Sequence, residues 1–166
     1  MKPSERLVTM LQTPVKTPCI GVCSTGIGDT VCRGCKRFSH EVINWNGYSQ
    51  AQKSVVDGRL SGFLSQCVSN KLQVLDKGLL EWQLGVQQIS YTPHHDAYCW
   101  VYSLVKAGAR QIDRPEDYGF QVDIAFRAMP LADLKDLIDQ EFFTLSQAHY
   151  DRYMGTRDLF QEEQGS

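Results

Sequence analysis

The sequence predicts an α+β protein, with a small four-cysteine loop and helices followed by a small antiparallel or mixed sheet with C-terminal helices. Three observations predict it. Four cysteines fall between positions 19 and 35, residues 50–69 show helical periodicity, and two later segments alternate apolar and polar residues. A hydrophobic content of 42% with 22% charged residues is typical of a chain that can build a core.

The 166 residues suffice for one ordinary domain, or for a small and a medium one. We expect a flexible leader at 1–16, a four-cysteine module with two helices at 17–70, an α+β domain at 71–155 and a tail at 156–166. The first 75 residues carry nine Lys and Arg against four Asp and Glu, and the remainder carries eight against fifteen. This asymmetry indicates either a basic face for an anionic partner or two halves that attract each other.

The cysteine segment begins with Cys19 and Cys23, and after eight residues continues with Cys32 and Cys35. Gly, Ser and Thr separate the two pairs, so turns are expected there and a hydrophobic core is not. Because neither a targeting signal nor a membrane segment is visible, we expect a cytoplasmic protein with reduced thiols. Because the thiols are expected to be reduced, we predict a metal site rather than two disulfides. The loop is therefore expected to be metal-stapled, that is, held together by the metal that its cysteines bind.

Two helices are predicted after the cysteines. Ser39 offers an N-cap for a short helix that ends at Gly47. Ser49 and Gln52 have the spacing of a reciprocal cap, and they precede a helix over about 50–69 with an apolar stripe. Cys67 lies on that stripe and is expected, like Cys99, to be a buried small hydrophobe.

The second half is predicted to contain strands and then helices. Apolar residues alternate over 80–86 and 120–126, and 72–75 is placed in a hairpin with 80–86. The apolar run 98–105 fits either strand or helix, and strand is favoured slightly. Two amphipathic helices are expected, over 131–138 and 145–154, the second ending at Gly155.

Four nearby thiols suit either zinc or an iron–sulfur cluster, because both bind soft, anionic thiolates. The C-x2-C spacing of Cys32 and Cys35 is usual for a metal-binding turn, and Gly34 within it allows backbone amides to approach the sulfurs. The spacing matches neither the bacterial nor the plant ferredoxin pattern. Zinc is favoured slightly on these grounds.

The runs PCIGVC and CRGCKR, followed by Glu41, Val42 and Trp45, resemble the bacterial domain of unknown function 1289 family. The resemblance covers about residues 17–60, and members of that family are often described as predicted iron–sulfur proteins. It implies that the four cysteines, Cys19, Cys23, Cys32 and Cys35, are the metal ligands. It also marks Arg37, Glu41 and Trp45 as recurring positions, which we take as candidate cofactor-binding residues. No activity comes with the resemblance.

Three functions are considered. The first is a cytoplasmic, non-enzymatic metal-binding protein with a structural zinc or an iron–sulfur cluster, acting as an accessory or interaction protein with an unknown protein partner. The second is a nucleic-acid-binding zinc module, suggested by basic residues near the cysteines: Arg33, Lys36, Arg37, Lys53 and Arg59. The third is iron–sulfur electron transfer or redox sensing. No nucleotide-binding or hydrolase motif is present, so no catalytic residue is predicted, and no membrane partner is expected.

Overall fold

A computed structural model describes residues 14–21 and 23–163, and the side chains as far as Arg157. Most of the leader predicted at 1–16, and the last three residues of the tail, lie outside the described residues. The chain divides into two compact units, Met1–Gly58 and Arg59–Ser166. No helix in the part of the chain that is described has the length and apolar character needed to span a membrane.

The first unit contains one short helix and the start of a long one. Helix α1 spans Ser39–Asn44, and two 3-10 turns cover Ser24–Ile27 and Trp45–Gly47. Helix α2 spans Gln50–Ser69 and continues into the second unit. An isolated antiparallel bridge joins Val31 to Phe38 and closes the loop that carries Cys32 and Cys35.

The start of α2 confirms a local prediction. The backbone N–H of Ser49 donates to Gln52 Oε1 over 2.9 Å, and the N–H of Gln52 donates to Ser49 Oγ over 3.2 Å. These are the two bonds of a capping box. The predicted Ser39 cap is wrong, because Phe38 is the N-cap of α1 and Ser39 is its first helical residue.

The second unit adds a two-stranded sheet to four helical segments. After the end of α2 come β1 (Leu72–Val74), α3 (Lys77–Val86), α4 (Ala97–Gly108), β2 (Phe120–Val122) and α5 (Leu131–Glu163). The strands are antiparallel, with Leu72 opposite Val122 and Val74 opposite Phe120. The α+β class is therefore confirmed, with five α-helices and this sheet in the described residues. The predicted hairpin of 72–75 with 80–86 is wrong, since β1 pairs with β2.

Residues 80–86 were predicted as a strand and form helix α3. Asp76 caps that helix, because its Oδ1 accepts a hydrogen bond from the N–H of Leu79 over 3.0 Å. Leu80 and Leu84 lie one helical turn apart and are fully buried, whereas Trp82 is 61% exposed. Apolar residues at every second position predicted a strand, whereas the buried residues, Leu80 and Leu84, are four positions apart, as in a helix.

Residues 98–105, whose sequence fits either a strand or a helix, form helix α4, so the preference for a strand is wrong. The carboxylate of Asp96 caps it by accepting hydrogen bonds from the backbone N–H groups of Tyr98, over 2.9 Å, and Cys99, over 3.3 Å. The helix buries a wide apolar face, which explains why its sequence has no clear periodicity. Its buried residues are Cys99, Trp100, Val101, Leu104 and Val105.

Two further predictions about the second unit need correction. The strand expected over 120–126 stops at Val122, because Asp123 accepts the N–H of Ala125 and starts a 3-10 turn at Ile124–Phe126. The two helices expected over 131–138 and 145–154 are one continuous helix, α5, which passes through Gly155. Cys67 and Cys99 are each 5% exposed, so their predicted burial is confirmed.

Gly119 places β2 beside the start of α3. Its φ of +86° belongs to the left-handed region, and a Cβ at this position would lie 2.4 Å from the carbonyl oxygen of Asp76. The carbonyl of Gly119 also accepts the N–H groups of Leu75, over 2.8 Å, and Asp76, over 3.0 Å. Only glycine fits this backbone-to-backbone contact without a shift.

Candidate metal centre

Cys32 and Cys35 lie in a tight, buried turn. Cys32 is 1% exposed and Cys35 is 8% exposed. The N–H of Cys32 donates to the carbonyl of Arg37 over 2.9 Å, and the N–H of Lys36 donates to the carbonyl of Cys32 over 2.8 Å. These bonds fix the backbone of the turn before any side chain contributes.

Backbone N–H groups point at both sulfurs of this turn. The sulfur of Cys32 accepts from the N–H groups of Cys35, Ser24 and Gly34. The sulfur of Cys35 accepts from the N–H of Arg37 and from its side-chain Nε, the latter over 3.2 Å. Hydrogen bonds to the charged form of a group favour that form, so the turn is built to stabilise thiolates.

The two thiols respond differently. Burial by itself raises the pKa of Cys32, but the N–H donors of Cys35, Ser24 and Gly34 outweigh it and lower the pKa from 9.0 to about 7. Burial raises the pKa of Cys35 above 9.0, against the opposing effect of Arg37. Cys32 is therefore the more readily ionised thiol of the pair.

Lys36 closes the turn in an unusual conformation. Its φ of +65° is left-handed, which costs a non-glycine residue about 1–2 kcal/mol. The side chain is 2% exposed, and its Nζ donates to the carbonyl of Gly34 over 3.1 Å. A buried ammonium thus lies in the turn that carries the two sulfurs.

Ser24 connects the two cysteine pairs. It follows Cys23 directly, and its backbone N–H donates to the sulfur of Cys32. Its Oγ accepts the backbone N–H of Arg33 over 2.8 Å, and its carbonyl accepts the N–H of Asp29 over 3.3 Å. Ser24 was not among the predicted site residues, since no local pattern marks a contact between residues nine positions apart.

The first pair is exposed and less constrained. The sulfur of Cys19 accepts the N–H of Gly21 over 3.4 Å, and the sulfur of Cys23 lies 3.0 Å from Oγ1 of Thr25. Among the residues that the structure describes, no three of the four cysteine sulfurs lie within 4.8 Å of one another. Hydrogen bonds therefore hold the second pair in a defined turn. The first pair is close to it in the sequence, but the sulfurs of the two pairs do not form one cluster.

The three other candidate residues, Arg37, Glu41 and Trp45, make different contacts near the second pair. The guanidinium of Arg37 lies 4.9 Å from the centre of the Trp45 ring, and the Nζ of Lys53 lies 5.6 Å from the same ring. Glu41 is 5% exposed, and its Oε1 accepts the N–H of Phe38 over 2.8 Å. Arg37 therefore contacts both a cysteine and Trp45, whereas Glu41 holds the first turn of α1.

The donor set fits a thiolate-bound metal. Four thiols occur within one short segment, three of them have N–H donors on their sulfurs, and the buried cations Lys36 and Arg37 lie in the turn of the second pair. The N–H donors and the two cations favour the ionised thiol, which is the form that binds metal.

Residues 17–62 match the family model described as "Protein of unknown function (DUF1289)". The match confirms the predicted resemblance for this segment, which contains the four cysteines as well as Arg37, Glu41 and Trp45. Residues 63–166 lie outside the DUF1289 match. No curated protein and no solved structure matched the chain.

Proposed function

We propose that the DUF1289 segment holds one metal centre through the thiolates of Cys19, Cys23, Cys32 and Cys35, and that the chain is a non-enzymatic metal-binding protein. The observation that carries the proposal is the set of N–H donors on the sulfurs of Cys32 and Cys35. Such donors compensate the charge of a thiolate that burial would otherwise disfavour.

The charge of the surroundings supports the same proposal. Four thiolates with one Zn²⁺ carry a net charge of −2, and an excess charge in a buried place needs a counter-charge. Lys36 and Arg37 are 2% and 4% exposed and supply two positive charges within the second cysteine turn. Their burial is costly in a metal-free turn and favourable beside a thiolate centre.

Zinc is the metal we propose first. Both pairs, C-x3-C and C-x2-C, have the ligand spacing of structural zinc sites. Zn–S bonds of about 2.3 Å place tetrahedral sulfurs roughly 3.8 Å apart, so Cys19 and Cys23 must close onto the second pair when zinc binds. An iron–sulfur cluster uses the same ligands, and its use in electron transfer or redox sensing is the alternative.

The basic residues that suggested nucleic-acid binding have other roles in the structure. Lys36 and Arg37 are buried, Arg33 forms an ion pair with Asp29 over 3.2 Å, and Lys53 lies over the ring of Trp45. A phosphate backbone is bound by accessible Lys and Arg side chains. The burial of Lys36 and Arg37 removes two of the five basic residues from such a surface, which weakens the case for a nucleic-acid-binding role.

The proposal is tested by purifying the protein without oxygen and measuring its absorption spectrum and metal content, next to Cys32→Ser. Cys99→Ser is the matched control, because the thiol of Cys99 donates to the carbonyl of Ser61 over 3.3 Å and a serine hydroxyl keeps that bond. A colourless protein with one zinc that is lost only in Cys32→Ser is the result expected.

Other results have a defined meaning. A brown protein with a broad band near roughly 400 nm and acid-labile sulfide would keep the ligands but replace zinc by a cluster. Reversible reduction of that cluster would then support electron transfer. A protein that binds neither zinc nor iron when folded would overturn the proposed function.

A further inference from the structure

A cavity of about 700 Å³ lies in the unit Arg59–Ser166, which contains none of the four DUF1289 cysteines. The turn after α3, the second half of α4 and the residues that follow α4 form its walls. Its volume falls within the range of cavities that bind small molecules. The proposed metal centre does not involve any residue of this cavity.

The lining combines apolar and hydrogen-bonding side chains. Ile89, Ala107 and Tyr118 line the cavity, are at least partly exposed, and supply its apolar surface. Gln87, Gln88 and Gln111 each contribute a side-chain amide, which offers one acceptor and two N–H donors. A few polar groups around an apolar surface are typical of a small-molecule site.

Gln88 is the most informative residue of this lining. Its N–H donates to the carbonyl of Gly85 over 3.1 Å, and the N–H of Ile89 donates to the carbonyl of Leu84 over 2.9 Å. These are the two bonds of a Schellman motif, and Gln88, with a φ of +56°, occupies the left-handed position that glycine usually takes. The left-handed conformation of Gln88 costs about 1 kcal/mol of conformational free energy, and the side-chain amide of this residue lies on the cavity wall.

The charge of the lining is positive. Lys106 lines the cavity, and no Asp or Glu does. A smaller cavity of about 250 Å³ shares Lys106 and Gln111 and adds Arg110. Lys135 and Asp136 also line the smaller cavity, where they form an ion pair over 2.8 Å and cancel each other's charge. The cavities therefore favour an anionic ligand.

We propose that the larger cavity binds a small organic anion, a molecule with a phosphate or carboxylate group on a partly apolar, hydrogen-bonding body. Lys106 binds the anionic group, with Arg110 adding positive charge nearby. The amides of Gln88 and Gln111 bind the body of the ligand, and Ile89 contacts its apolar part. This binding is independent of the metal centre.

The test is an NMR titration of the full chain, following backbone amides and the side-chain NH2 groups of glutamine. The probes are AMP and citrate, which represent the phosphate and carboxylate forms, with adenosine and inorganic phosphate as the separate halves of AMP. Saturable shifts at Gln88, Gln111 and residues 104–112, with a Kd of about 1 mM or tighter for AMP or citrate, are expected. Adenosine and phosphate alone are expected to bind more weakly.

Two variants test the assignment of the residues. Lys106→Gln and Gln88→Gly are each expected to weaken binding about tenfold, which is the effect of losing one charge-assisted or buried hydrogen bond. Gln88→Gly should fold at least as well as the parent, because glycine suits the left-handed position, so weaker binding would not reflect unfolding. Arg157→Gln, a substitution of an exposed residue near the end of α5, is the control and should change nothing.

The proposal is overturned if neither AMP nor citrate gives saturable shifts in these residues. It is also overturned if both Lys106→Gln and Gln88→Gly bind these probes as tightly as the parent chain does. The metal content of the protein does not enter either result, so the test is separate from that of the proposed function.

Discussion

Arg37 donates its Nε hydrogen to the sulfur of Cys35 over 3.2 Å, from a side chain that is only 4% exposed. The same guanidinium lies against the ring of Trp45, with 4.9 Å between its central carbon and the ring centroid. Water screens this charge little, so it acts on the thiolate with more effect than a surface charge. Arg37 is therefore expected to control how tightly the centre holds its metal.

Replacing Arg37 is the first prediction. Arg37→Ala should weaken metal binding by about 10–100-fold, the usual effect of removing a hydrogen bond to a metal ligand. Competition with a chelator measures this change. Arg33→Ala is the matched control, because Arg33 is exposed and its ion pair with Asp29 is of the surface kind, worth roughly 0–1 kcal/mol. Equal losses in the two variants would show that only net charge matters.

The pH dependence of Cys32 is the second prediction. The pKa of its thiol is about 7 in the folded protein against 9.0 in an unfolded chain. A lowered folded-state pKa means that ionisation stabilises the metal-free fold above pH 9, and that this contribution is lost as the pH falls through about 7. Thiolate absorbance in the ultraviolet should show one thiol titrating near pH 7, absent in Cys32→Ser. A first ionisation above pH 8.5 in the parent would contradict it.

Metal removal is the third prediction. Because the side chains of Cys19 and Cys23 are exposed, chelation should loosen the segment around these two residues, while the hydrogen-bonded turn of Cys32 and the second unit keep their structure. Hydrogen exchange with and without chelator measures this residue by residue. Protection should fall around Cys19 and Cys23 and persist in the Cys32 turn, β1, β2 and α4. A simultaneous loss in all of these elements would mean that the chain folds as one cooperative unit.

The ion pair between Lys71 and Glu141 gives the fourth prediction. The Lys71 side chain is 3% exposed and that of Glu141 is 43% exposed, and Lys71 Nζ also donates to the carbonyl of Cys67 over 3.1 Å. Glu141→Gln leaves a buried ammonium without a counter-charge and should cost about 2–3 kcal/mol of unfolding free energy. Lys71→Met leaves a carboxylate that water can reach, so it should cost less, about 1 kcal/mol.

Chemical denaturation measures both changes. Lys135→Met is the control, since its partner Asp136 has a side chain that is 71% exposed, and it should change the free energy of unfolding by less than about 0.5 kcal/mol. The opposite order, with Lys71→Met the more destabilising variant, would show that the aliphatic part of Lys71 matters more than its charge.

The sequence predicted the structure best where the decisive contacts are local. Ser49 and Gln52 are three residues apart, and the cap they were expected to form is present. Leu72 pairs with Val122, and no pattern near Leu72 indicates that partner, so the hairpin prediction failed. The predicted hairpin required a turn between residues 75 and 80, where Asp76 instead caps helix α3. Leucines four positions apart fit an alternating strand pattern as well as a helical one.

The candidate site shows the same division. The cysteine spacing and the run around Arg37 and Trp45 were visible in the sequence, and the structure places Arg37 against both Cys35 and the Trp45 ring. The contribution of Ser24 was not visible, because it depends on the loop folding back onto Arg33. The left-handed conformation of Lys36 was equally hidden, since lysine carries no signal for a positive φ.

The most direct measurement of the central claim is X-ray absorption at the edge of the bound metal in the isolated protein. Four sulfur ligands at about 2.3 Å are predicted, which requires the exposed pair, Cys19 and Cys23, to join Cys32 and Cys35 on the metal. Two sulfurs completed by nitrogen or oxygen ligands would contradict the account, because the centre would then rest on Cys32 and Cys35 alone.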